Sequence, residues 1–212
     1  MEIKYITIED NIYPDKLKQI YNPPKKLFYV GNIKLINNFS IAIIGSRESS
    51  YYGNKIAKEF ANDLSKKGIT IVSGLARGID KYAHVGSNGN TIAVLGCGIN
   101  IIYPSENKKV YEEILNKGGL ILSEYPVNTE PLKMNFIERN RIIAGISNGV
   151  LVVEAKIKSG TFSTVDFALE QGKNIYAIPG PINSSKSEGT NELIKQGAKI
   201  VTNISDILED YI

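Results

Sequence analysis

Four of the 25 basic residues in this 212-residue chain are arginine: Arg47, Arg77, Arg139 and Arg141. Lysine serves wherever a plain positive charge suffices. A planar guanidinium grips a phosphate bidentately, whereas an ammonium is a point charge. Arginines beside Gly, Ser or Asn in turns or helix starts are therefore candidates for phosphate work, and Arg47 is the sharpest. The run Ile41-Ala42-Ile43-Ile44 leads into Gly45-Ser46-Arg47, with Gly53 at the start of a helix-like stretch. That order gathers backbone N–H groups, a hydroxyl and a guanidinium around a helix amino end, where aligned peptide dipoles favour an anion. The spacing is not Gly-x-Gly-x-x-Gly, and the chain holds no P-loop ending in Gly-Lys-Ser/Thr, so dinucleotide and NTPase readings lose their main support.

Three further constellations carry possible chemistry. In Ser73-Gly74-Leu75-Ala76-Arg77-Gly78-Ile79-Asp80 the glycines permit tight turns, Arg77 is a second phosphate candidate, and Asp80 is expected to cap the next helix. His84 falls one turn later; with no Ser or Cys nucleophile paired to it, it reads as a structural histidine. Cys97, between Gly96 and Gly98, reads as a small buried residue. The segment from Lys133 to Gly145 surrounds an aromatic with polar and basic groups, the mixture that holds a sugar-phosphate chain while stacking a base. On a helix begun near Asn135, Phe136 and Asn140 share a face beside Arg139. Phe136 is expected to be a stacking platform, with the inner face supplied by Ile137, Ile142 and Ile143. Finally, Glu154-Ala155 precedes Ser159-Gly160-Thr161, whose hydroxyl and amide groups suit either a ligand rim or a helix cap.

These residues must be positioned by the elements between them. From Ser40 onward, short β-branched runs alternate with longer amphipathic stretches, the pattern of βα units around a parallel sheet. Strands are expected at 41–44, 69–72, 91–95, 120–122, 150–153, 175–178 and 199–201, nearly continuous in apolar residues as suits burial on both faces. Helices are expected at about 52–67, 79–87, 106–117, 135–144, 161–171 and 188–196, with a last short one from Ser205. Residues 1–39, with Pro23-Pro24 and a strand-like Leu27-Phe28-Tyr29-Val30, read as an extension packed on a main domain at 40–212.

Composition excludes several classes. Hydrophobic residues make up 42% and charged residues 22%, which suits a globular domain rather than a disordered chain. A net charge of +3 is too small for binding polyanions by bulk charge, so any nucleic-acid site must be local. One Cys and one His make neither an internal disulfide nor a zinc constellation. No apolar run approaches the ~20 residues that span a bilayer, and no signal core follows Met1, so the expectation is a cytoplasmic protein without membrane insertion.

In order along the chain, Gly-Ser-Arg, Ser-Gly-Leu-Ala-Arg-Gly-Ile-Asp, Ala-Val-Leu-Gly-Cys-Gly, Ile-Tyr-Pro, Leu-Ser-Glu-Tyr-Pro, Phe-x-x-Arg-Asn-Arg-Ile-Ile-Ala-Gly, Val-Val-Glu-Ala and Ile-Pro-Gly resemble the DNA-processing protein A family, DprA or Smf. The resemblance covers about Tyr13 to Leu208. It implies an extended Rossmann-like three-layer α/β fold, with a mostly parallel sheet and helices on both faces. It also implies a homodimer that binds single-stranded DNA, protects incoming DNA during natural transformation and loads the RecA recombinase. No cofactor is expected, and since no P-loop, nucleophile–base pair or metal cluster can be assembled from the residues, no turnover of its own is expected either. Carried over by motif, Arg47 and Lys133 with Phe136 fall in the DNA pocket, and Ser46, Arg139 and Asn140 beside it. Gly45, Arg77, Asn135 and Ser159-Gly160-Thr161 complete the expected DNA-contacting set. The last segment matches the family's Ser-Gly-Ser-rich stretch only partly, and Asp166 adds a negative charge near the expected rim. Many members carry a helical N-terminal and a winged-helix C-terminal domain with no counterpart in this sequence, so those modules' functions are not expected here. The competing class is a nucleotide-processing enzyme of the phosphoribohydrolase type, of which Ser159-Gly160-Thr161 with Glu170 is a faint echo; a nucleotide-sensing module is a third.

Overall fold

The structure is a computed structural model, and it describes residues 2–211. Among the described residues, nine strands form one sheet in the order β1-β2-β6-β5-β4-β3-β7-β8-β9. Strands β3 (Ser40–Ile44), β4 (Thr70–Ser73), β5 (Thr91–Leu95), β6 (Leu120–Ser123), β7 (Gly149–Val152), β8 (Asn174–Ala177) and β9 (Lys199–Ile200) run parallel. The residues 1–39 contribute β1 (Lys4–Thr7) and β2 (Lys26–Gly31), which pair antiparallel with each other and, through β2, with β6. The sheet is thus mostly parallel with an antiparallel edge. Every residue of β3 to β7 is buried, because helices cover both faces.

The two faces are separate cores. On one, α1 (Asp15–Lys18), α5 (Lys133–Ile146), α6 (Thr161–Glu170) and α7 (Glu188–Lys195) bury Leu17, Ile142, Ile143, Val165 and Leu193 against Ala42, Ile44, Val72 and Val94. On the other, α2 (Tyr51–Lys66), α3 (Ile79–Gly86) and α8 (Ser205–Leu208) pack Phe60, Leu64, Ala83 and Ile207 on Ile41, Ile43 and Ile71. Beside them α4 (Lys108–Asn116) lays Val110 and Ile114 over Ala93, Leu95 and Ile121. Alternate residues of each strand serve opposite cores, as the period of two requires. Helix α2 begins at an N-cap Ser50 and ends where Gly68 turns the chain with φ +80°.

The strand order reverses between β3 and β7. The chain leaving β3 enters α2 on one face, and the chain leaving β7 enters α6 on the other, so the two loops splay apart at the carboxyl end of the sheet. Open α/β sheets bind ligands in the crevice such a switch creates.

Candidate functional site at the sheet switch point

A cleft of about 550 Å3 occupies that crevice. Its walls are the β3–α2 loop (Gly45, Ser46, Arg47, Glu48), the first half of α5 (Lys133, Phe136, Ile137, Arg139, Asn140) and the β7–α6 segment (Lys156, Ser159, Gly160, Thr161, Ser163, Thr164), with Ala76, Asp80 and Tyr103 adding the remaining side. Four basic side chains face two carboxylates, so the cleft is locally positive although the chain is nearly balanced. Glu48 already holds Lys156 at 3.0 Å. Arg47 and Lys133 are exposed and remain for a ligand.

Phe136 lies in the middle of this wall. It is half-buried and outside all three cores. Its ring rests on Gly96 just after β5, where any Cβ would overlap it, and stands 5.3 Å from the half-exposed Tyr103 ring. The guanidinium carbons of Arg47 and Arg139 lie 5.9 and 5.8 Å from the ring centroid, within cation–π range. Ile137, expected to face inward, is 38% exposed and lines the cleft; α5 instead buries Arg139 and Arg141 to Ile146. One turn of helix places Asn140 beside Phe136, as read from the sequence, and its amide donates to Ser163 Oγ at 2.8 Å, joining α5 to α6.

The two arginines of α5 lie inside the helix, not at a helix start or in a turn. Arg139 is the floor of the cleft: its Nη1 donates to the Gly74 carbonyl at 2.8 Å and to that of Val94, and its Nε to Asn140 Oδ1 at 3.2 Å. Burial lowers its pKa to about 10, opposed by the charge of Asp80. Arg141 is a brace. Its fork closes on Glu124 at 2.6 and 2.9 Å, and its Nε donates to the Asn22 carbonyl at 3.0 Å, tying the N-terminal segment to α5.

Asp80 does not cap α3. Gly78 holds the N-cap position, with φ +69° and its α-carbon against the Ser46 carbonyl, a close approach that only glycine allows. The Asp80 carboxylate turns back instead and accepts the N–H groups of Gly74 at 3.1 Å and Ala76 at 3.4 Å, fixing the loop above β4. Burial pushes its pKa up, and the Arg139 guanidinium and these N–H groups oppose the rise. His84 is buried, with Nδ1 2.8 Å from Thr91 Oγ1 and Nε2 accepting the Leu75 N–H at 3.3 Å; burial lowers its pKa to about 3. It is structural, as expected. Cys97 is also buried, and burial raises its thiol pKa to about 11.

Both the start of α2 and the Ser159-Gly160-Thr161 start of α6 were expected at the ligand rim, and the structure leaves only the second of them open. The start of α2, expected as a phosphate cradle, is already filled by Glu154: its carboxylate accepts the Ser50 N–H at 2.8 Å and the Ser50 hydroxyl at 2.5 Å. Ser46 N–H donates to the Glu154 carbonyl at 2.7 Å, and Ser46 Oγ accepts the Glu48 N–H at 3.1 Å, so Ser46 shapes the loop. The open end belongs to α6. Its first turn carries no side-chain cap, it faces the cleft through Ser159 to Thr164, and the buried Ser159 Oγ has no hydrogen-bond partner among the described residues. The available signal was a lone carboxylate, Glu154, directly after a fully apolar strand.

Two expected contacts and one expected charge fall elsewhere. Asn135 lies outside the cleft walls, its carbonyl accepting the Tyr125 hydroxyl at 3.1 Å. Arg77 lies beyond the rim, paired with Glu106. Asp166 is exposed on α6 and does not line the cleft, so the charge expected at the rim is not there.

Fold and cleft together define a Rossmann-like α/β protein with a basic, aromatic crevice at its switch point. The family model described as DNA recombination-mediator protein A matches residues 4–212, and the chain belongs to that family. It is 45% identical to Protein Smf of Escherichia coli over 208 residues, which are 97% of this chain and 56% of that protein; it thus spans little more than half of that relative. It is 43% identical to DNA processing protein DprA of Streptococcus pneumoniae, over 97% of this chain and 73% of the relative. The solved S. pneumoniae protein superposes with a TM-score of 0.93 at 41% identity, covering 100% of this chain and 75% of that one. DNA processing protein A from Helicobacter pylori, a structure described for its single-stranded DNA binding mode, gives 0.90 at 37% identity, covering 99% and 98%. Molybdenum cofactor carrier proteins, at 16% identity and a TM-score of 0.55, share the fold alone.

Proposed function

We propose that the switch-point cleft binds single-stranded DNA, with Arg47, Lys133 and the amino end of α6 on phosphates and Phe136 against a base. The observation that carries this reading is the half-buried Phe136 ring within 6 Å of the Arg47 and Arg139 guanidiniums, in a cleft that the exposed Lys133 also lines. A duplex hides its base faces in the stack, and only an unpaired strand offers phosphate and base face together. The single-stranded binding described for the H. pylori relative supports the same assignment. Beyond the cleft, the reading extends to a homodimeric, cytoplasmic recombination mediator that protects incoming strands and passes them to RecA, the role the family resemblance implies.

Binding without turnover is the form of this proposal. His84 and Cys97 are buried with their protons held against change, and Glu170, the carboxylate the hydrolase reading requires beside Ser159-Gly160-Thr161, lies outside the cleft at the far end of α6. Fluorescence anisotropy with labelled oligothymidylate and a blunt duplex of equal length tests the reading. The expected result is preference for the single strand and a logarithmic salt slope of about −2 to −4 per protomer, from about −0.7 per phosphate neutralised. Equal affinity for the two ligands would sink it.

A further inference from the structure

Of the two arginines that do not line the cleft, Arg141 is buried and Arg77 is exposed. Its guanidinium is gripped by a carboxylate, Nε to Glu106 Oε1 at 2.7 Å and Nη2 to Oε2 at 2.8 Å. Both side chains are more than half exposed. The pair stands at the mouth of the cleft. Arg77 follows Ala76, which lines the cleft, and Glu106 belongs to a 3-10 turn (Ser105–Asn107) just after Tyr103, whose ring packs beside Phe136.

The parallel two-bond fork is the geometry by which a guanidinium holds phosphate as well as carboxylate. Glu106 is not what anchors its turn. The buried Asn107 does that, its amide donating to the Leu75 and Ala76 carbonyls at 2.9 and 3.0 Å. An ion pair this exposed contributes little to stability, so opening it leaves both loops in place. The exposed Lys108 and Lys109 at the start of α4 follow directly, and they keep the positive character of the surface beyond the pair.

We propose that Arg77 is a second phosphodiester subsite, outside the cleft, and that Glu106 is the resident carboxylate which the phosphate of a bound strand displaces. The proposal rests on the single-strand reading of the cleft. A strand leaving Phe136 past Tyr103 meets Arg77 next, and the fork exchanges one anion for another with no change of geometry. In the free protein the pair is electrically neutral, so the subsite offers no net charge to stray anions. It opens to a ligand already held nearby by Arg47 and Lys133, whose phosphates are then at high local concentration.

Oligothymidylate affinity is measured by anisotropy at one fixed salt concentration for the wild type, Glu106→Gln, Arg77→Lys and the double variant, with thermal melts confirming that each is folded. Glu106→Gln removes the competing anion and is expected to tighten binding several-fold. Arg77→Lys keeps the charge but loses the fork and is expected to weaken it. In the Arg77→Lys background, Glu106→Gln is expected to give a much smaller gain, since a lysine has no fork to release. An equal gain in both backgrounds would show a general charge effect and overturn the subsite, as would wild-type affinity in both single variants or weaker binding by Glu106→Gln. A wild type that binds no oligonucleotide removes the cleft reading itself, an outcome distinct from these.

Discussion

At Phe136, packing and the proposed binding meet in one side chain. Its ring is supported from below by Gly96 and from the side by Tyr103, yet it belongs to none of the hydrophobic cores. Replacing it with Ala therefore leaves no closed cavity, and the stability loss is expected to stay well below the ~3–5 kcal/mol of a fully buried Phe. Oligonucleotide affinity is expected to fall by about 1–3 kcal/mol, the worth of one base–aromatic stack. Thermal melts and anisotropy titrations on the same sample check both halves; a melting loss of core size would mean that the ring is a packing residue. Its place on the cleft wall was legible because lysine, asparagine and arginine surround it in the sequence. Ile137, expected on the inner face, is exposed, and the buried side of α5 is instead two charged braces followed by Ile142, Ile143 and Ile146. A buried arginine that caps carbonyls of neighbouring strands cannot be told from an exposed one by helical period alone.

At the scale of elements, the parallel strands were legible because each is an apolar run buried on both faces, and the helices because their apolar stripes end at glycines such as Gly68 and Gly118. Strand β1 was not: it is four residues long, only Ile6 is buried, and it takes its pairing entirely from β2. Which helix end stays open was not legible either. Glu154 reaches the start of α2 across 104 residues of sequence, a contact that exists only because β7 lies beside β3. That contact carries a prediction. In Glu154→Ala the Ser50 N–H and hydroxyl lose a buried charged acceptor, with an expected cost of about 1.5–3 kcal/mol in denaturant unfolding. Amide exchange at Ser50 should quicken while the amides of α6 keep their protection. Unchanged stability would mean that water replaces the carboxylate at no cost, and that the start of α2 is open to ligands after all.

For the molecule as a whole, the single histidine links cleft, sheet and helix into one acid-sensitive unit. Thr91 Oγ1 spends its proton on the Ile71 carbonyl at 2.7 Å, so it accepts from His84 Nδ1, and the Leu75 N–H occupies Nε2. The ring is therefore neutral, with no room for a second proton beside a donor and with the Arg139 charge nearby. In the unfolded chain the same histidine titrates near 6.5. Below that pH the unfolded state binds a proton that the native state refuses until about pH 3, so stability is complete above pH 6.5 and is lost on acidification. The slope is about 1.4 kcal/mol per pH unit. Asp80 works in the opposite sense, because its raised pKa lets the native state take a proton first and gain stability as the pH falls. The two are separated by comparison: urea unfolding of the wild type and His84→Gln from about pH 7 to 5, where carboxylates with ordinary pKa values change little. The wild type should lose stability faster than the variant by roughly one proton's slope over that range. Parallel profiles would mean that His84 takes up its proton within the fold, and that the bonds to Leu75 and Thr91 do not hold it neutral.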